Sequence, residues 1–106
     1  LKNASNVCVL TYKKGLSGTN EGMLATSKSD WDVFDAGIAT LQFCLSCHLY
    51  GVGTVIMGII DALKISSIIS LPDDEEVAAL IVYGYPLEPI QKTPKRKENN
   101  EIIKYY

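Results

Sequence analysis

Nothing in this sequence is long and apolar enough to cross a bilayer. The run Val52 to Ile60 falls well short of the ~20 residues a spanning helix needs. No basic start leads into an apolar stretch and a small-residue cleavage site, so no signal peptide is visible. There are three cysteines, an odd number that fits a disulfide framework poorly and a reducing cytosol better. Charge of one sign is also lacking. A net charge of −2 gives no global reason to expect nucleic acid, and the one basic concentration, Lys92 to Lys97 (KTPKRK), is local. These absences describe a cytoplasmic protein with no membrane or nucleic-acid partner.

What is present is an ordinary globular composition, 47% hydrophobic and 21% charged, which excludes a disordered chain. At 106 residues it is at most one domain, and its core is modest, because a chain of this size buries only about two-thirds of its unfolded surface. The first residues are LKNASN, without an initiator Met, and a strand follows almost at once; processing or a longer gene product is expected.

The patterning alternates strands and helices. NVCVLTY, Asn6 to Tyr12, is β-branched and aromatic and reads as a strand. Gly15 to Lys28 is rich in Gly, Ser, Thr and Asn and reads as a long loop. In a domain this small, such a loop is more often functional than idle. Ser29 or Asp30 can then cap a helix, with Asp32 completing a weak capping box on Ser29. Apolar residues from Val33 to Leu49 fall at helical spacing and nearly surround the axis, which predicts a central, buried helix ending at Gly51.

Thr54 to Met57 reads as a short buried strand between glycines. Asp61 is a candidate cap for a second helix, with Leu63, Ile68 and Ile69 inward. Val77 to Tyr83 is a continuous apolar run, as in a central strand. Beyond Leu87 the chain is Pro- and charge-rich, and EIIKYY at its end is β-prone and in need of a partner. The expected fold class is α+β: helices packed on a mostly antiparallel or mixed sheet.

Several motifs could carry chemistry. CLSCH, Cys44 to His48, spells the c-type haem attachment motif, and its C-x-x-C is also a redox spacing. Both cysteines sit among Leu and Phe in the middle of a helix, where small apolar Cys is a common packing residue. A redox pair would open a helix, where the dipole lowers a thiol pKa. His48 is the sole histidine, near a helix C-terminus, where interaction with the dipole is the commoner role. Asp73 to Glu76 lacks the alternating spacing of a calcium loop and reads as a solvated turn, so no metal site is expected.

Taken together, DAGIATLQFCLSCHLYGVGTVIMGIID, then ISLPDDEEVAALIVYGYP, then a Pro-rich basic arm, resemble the C-terminal half of the FMN-dependent nitroreductase family. The resemblance runs from about Asn6 to Tyr105. It implies that residues 1–106 are the C-terminal portion of one nitroreductase-like domain, a partial fold, with 92–106 as a basic C-terminal arm. It also implies that Cys44 and Cys47 stand where the family packs Leu or Ala.

The cofactor expected by this resemblance is FMN. Ile56 and Met57 would pack on its ring, the Gly58 N–H would sit near N5, and Ile59 would lie adjacent. Lys95 and Arg96 would pair with the phosphate, a role that suits Arg's bidentate fork. No side chain is expected to be catalytic, because the flavin carries the chemistry. The implied partners are NADH or NADPH, a small nitroaromatic or quinone acceptor, and a second copy in an intertwined homodimer. The family's N-terminal Arg-Ser-x-Arg segment has no match here. Ile59 replaces a frequent second glycine, and Lys97 to Asn100 replace Pro-Leu-Glu-Glu. The rival expectations are a non-catalytic flavin- or ligand-binding scaffold, a fragment needing a partner chain and, more weakly, a small cytochrome.

Overall fold

The computed structural model describes residues 6–88 and 92–106. Its centre is a three-stranded antiparallel sheet in the order β1 (Asn6–Lys13), β5 (Glu75–Gly84), β4 (Gly53–Met57). The apolar run from Val77 to Tyr83 is thus the middle strand, as its patterning predicts. It pairs with β1 from Asn6↔Tyr83 to Lys13↔Glu75, and with β4 from Gly53↔Gly84 to Met57↔Leu80. The β1 register shifts between Leu10 and Thr11, where Ala78 is left over as a bulge. Neither outer edge, of β1 or of β4, carries a further strand among the described residues.

Residues opposite one another in antiparallel strands share a face. Cys8, Leu10, Ile56, Ala79, Ile81 and Tyr83 therefore look one way, and α1 (Trp31–Leu49) packs on that side, with the Phe43 ring edge-on to Tyr83 at 5.5 Å. A shorter helix, α2 (Ala62–Ile69), packs on β5. Among the described residues, Ile81 is the one fully buried large side chain, and only Ala36, Thr40, Val77 and Ala79 join it as buried residues.

The helix ends follow local chemistry. Gly51, at φ +70°, closes α1; its N–H donates to His48 O, and Val52 N–H to Cys47 O. Asp61 caps α2 by accepting from Lys64 N–H at 3.0 Å. Ser70, left-handed at φ 53°, and then Pro72 end it. The start of α1 differs from expectation. Asp30 is the N-cap but makes no side-chain cap bond, and no Ser29–Asp32 capping box forms, because the Asp32 carboxylate is taken by Gly15 N–H at 2.9 Å.

Three further expectations are corrected. The apolar surround of α1 does not make it a buried helix: Ala36, Thr40, Phe43 and Cys47 face the sheet, while Phe34, Ile38, Leu41 and Leu45 lie exposed. Leu63, Ile68 and Ile69 of α2 are exposed rather than inward, since nothing among the described residues covers that helix from outside. The segment before the C-terminus forms a one-turn helix, α3 (Asn99–Ile102), with Glu98 N–H donating to the Glu101 carboxylate at 2.8 Å, and no strand. The long loop contains a two-residue hairpin, β2 (Thr19–Asn20) with β3 (Met23–Leu24).

The chain is spread out. Its radius of gyration is 17.1 Å, against about 13 Å for a compact domain of this length. No other element packs on α3.

Candidate functional site

β4 runs between two glycines. A Cβ on Gly53 would meet only the Gly84 carbonyl oxygen, at an ordinary 3.6 Å. At the other end, a Cβ on Gly58 would meet nothing within 4 Å. The backbone leaving β4 therefore runs beside open space. Ile59 is wholly exposed (102%), Ile56 and Val55 are exposed, and Met57 is half-buried. Ile56 and Met57 face opposite sides of the sheet, Met57 partly covered, and of residues 56–59 only Ile56 and Ile59 present widely exposed apolar side chains. A flat ring needs this kind of surface: apolar contacts and an approachable backbone.

Ile56 also borders a groove under α1, walled by Val33, Gly37 and Thr40 and floored by Leu10 and Ala79, with a volume near 370 Å³. Lys95 and Arg96 take no part in it. They lie exposed on the coil between residues 92 and 98, and neither makes an ion pair among the described residues. The expected site residues thus fall into two groups: an apolar segment on the sheet edge, and two exposed cations on the coil.

CLSCH occupies the last turns of α1. Cys44 and Cys47 are half-buried free thiols, and His48 is exposed in the final turn. Among the described residues, no cluster of three or more His, Cys, Asp or Glu side chains is arranged for a metal ion.

The sequence reading passed over the other end of α1. The Trp31 indole N–H donates to Thr26 Oγ1 at 2.7 Å, and its ring meets Phe34 edge-on at 5.4 Å and 86°. Lys28 Nζ stands 5.9 Å from the ring centroid, within cation–π range. Gly15 N–H on Asp32 and the Ser17 hydroxyl on Asp35 tie the loop down beside it. The Gly15 bond holds the Asp32 carboxyl below its ordinary value, while burial, and then the charge of Glu76, push the Tyr12 phenol up. The legible signal was a lone tryptophan following a loop rich in glycine and hydroxyls.

An antiparallel sheet with a long helix on one face is an α+β fold. The nitroreductase family model matches residues 6–85, and the chain belongs to that family. Solved structures agree on the fold. A nitroreductase family protein from Streptococcus pneumoniae TIGR4 superposes with TM-score 0.68 at 23% identity, covering 83% of this chain and 42% of that one. One from Clostridium difficile 630 gives 0.77 at 22%, covering 97% and 60%. An oxidoreductase containing FMN gives 0.63 at 23%, covering 82% and 42%. No curated protein matches the chain. The chain thus spans roughly half the length of these relatives, which is the partial fold the sequence implied.

Proposed function

We propose that this chain forms the C-terminal portion of an FMN-dependent NAD(P)H oxidoreductase of nitroreductase type. The observation that carries this reading is the family match over residues 6–85, which takes in β4 and the exposed Ile56 and Ile59 around the open Gly58 backbone. Ile56 and Met57 supply apolar contact to the isoalloxazine, and Ile59 borders it. Gly58, lacking a side chain, lets the backbone N–H approach the ring. Lys95 and Arg96 hold the phosphate.

Bound FMN supplies hydride transfer from NADH or NADPH to a nitroaromatic or quinone acceptor, in ping-pong order. The chain's own part is to bind, to orient and to leave one ring face accessible to both substrates in turn.

The working unit is a homodimer, and the exposed stripe Phe34, Ile38, Leu41, Leu45 supports this. It follows i, i+4, i+7, i+11, the narrow seam of helix pairing. The sheet-facing set Ala36, Thr40, Phe43, Cys47 repeats the same spacing two residues later, about 200° around the axis. One stripe is used by the sheet, and the other is free for a second helix. The protein works in the cytoplasm; no helix among the described residues is long and apolar enough to cross a membrane.

One observation also favours the second reading, a fragment that needs a partner chain: a single fully buried large side chain is little core for an independent fold. The test is a visible absorption spectrum of the protein purified without added cofactor, followed by NADH oxidation with a nitroaromatic. Flavin released as FMN, with turnover, supports the reductase. Flavin bound without turnover supports the scaffold or fragment.

A further inference from the structure

Gly58 to Ile60 lead from β4 to the Asp61 cap of α2, and this connector is held at both ends. On the strand side, Met57 is still in register with Leu80 of β5. On the helix side, the Asp61 carboxylate accepts from Lys64 N–H at 3.0 Å, and its carbonyl accepts from Ile65 N–H at 3.1 Å. Ile60 and Ile65 stand one residue before the cap and four after it, both half-buried. That is the placement of a hydrophobic staple, which sets the angle at which a chain enters a helix.

The backbone bends at Ile59 and Ile60, so that Ile60 is half-buried while Ile59 is wholly exposed. An exposed isoleucine on a loose loop folds aside when a ligand arrives. Here the backbone on either side is fixed, and branching at Cβ restricts χ1. The Ile59 side chain is therefore a stiff apolar post. Its neighbour Gly58 is the opposite, a position where a Cβ would meet nothing within 4 Å. One residue of the connector opens the backbone to a flat ligand, and the next limits how far that ligand extends. Gly58, Ile59 and Ile60 carry no polar side chain, so the limit acts through shape alone.

We infer that Ile59 is a specificity-determining residue that restricts the electron acceptor to single-ring compounds. The inference rests on the reductase reading, in which Ile59 borders the site of the flavin ring. A single aromatic ring fits beside the post, whereas a fused second or third ring extends into it. Apolar steric misfits of even one methylene change discrimination between ligands by about tenfold or more. Ile59 offers a substituent neither charge nor hydrogen bond, so it sorts acceptors by width and not by their polar groups.

The test is equilibrium binding of two non-reducible acceptor mimics of equal charge, benzoate and anthracene-2-carboxylate. Both are titrated into the FMN-saturated protein and read from the change in the flavin's visible absorbance. The series is repeated on Ile59→Ala, which removes the post, and on Ile59→Val, which keeps the branch at Cβ. Saturating each protein with FMN first removes any difference in flavin affinity. The expected result is that anthracene-2-carboxylate binds about tenfold or more tightly to Ile59→Ala than to the parent. Benzoate binds alike to both, and Ile59→Val behaves as the parent. The ratio of kcat/KM for benzoquinone to that for phenanthrenequinone falls in Ile59→Ala, a ratio independent of the fraction of protein loaded. Equal shifts for the two mimics, or no shift for anthracene-2-carboxylate, overturn the inference. A protein that takes up FMN but treats the mimics alike in all three forms refutes the inference alone, whereas one that takes up no FMN refutes the reductase reading and the inference with it.

Discussion

Gly18 lies against the edge of the Trp31 indole, so closely that a Cβ built there would fall 2.7 Å from Trp31 Cγ. Gly18 also sits at φ +70°, where an L side chain is strained. The long loop and the first helical residue are therefore fitted to one another. Gly18→Ala is expected to cost about 1–3 kcal/mol through strain and displacement of the ring. Thermal denaturation reads the cost, and a red shift of tryptophan emission reads the displaced ring. An unshifted emission maximum would refute the contact.

The same loop predicts a pH dependence. Asp32 has its carboxyl lowered by the Gly15 N–H, so between the depressed folded value and the ordinary 3.8 the unfolded chain binds more protons than the folded one. This contribution is complete above that window and is lost as pH falls through it. Asp32→Asn should lower stability at neutral pH and flatten the acid limb of a stability–pH curve, the two proteins converging below the window.

Burial separates stability from binding. Ile81, at 0% exposure, should cost about 2–4 kcal/mol on change to Ala in urea unfolding. Ile59, fully exposed, should cost within about 0.5 kcal/mol on the same change while weakening flavin binding. Equal effects of both substitutions on flavin affinity would remove Ile59 from the site.

The arm makes a charge-specific prediction. Arg96→Ala should weaken FMN binding about tenfold or more, leaving riboflavin, which lacks the phosphate, unchanged. Flavin fluorescence titration measures both. An equal loss for the two flavins would place Arg96 somewhere other than the phosphate.

The outer stripe of α1 predicts self-association. Leu41→Asp places a charge in the middle of an exposed apolar seam. Sedimentation equilibrium should show a dimer for the parent chain and a monomer for the variant. Identical mass in both would move the interface off α1.

The legible parts of the fold share a cause. The strand from Val77 to Tyr83, the Asp61 cap and the Gly51 stop are local signals, carried by the residues that form them. Where the reading failed, at α1 and α2, it treated apolar residues as inward because helices usually bury them within their own chain. Phe34 and Leu45 are apolar yet exposed among the described residues. The candidate flavin residues were legible only through resemblance, since nothing about an Ile-Met-Gly-Ile run by itself calls for a ring. The Trp31 corner was illegible for another reason: Gly18, Thr26 and Lys28 meet the indole only after the loop has folded back on the helix.

The bare sheet edges have a consequence of their own. Among the described residues, β1 and β4 border no further strand on their outer sides, on either side of the apolar β5. Such an edge accepts any extended segment that reaches it. An uncovered edge of this kind is also where one copy adds strand to strand to another on the way to an aggregate.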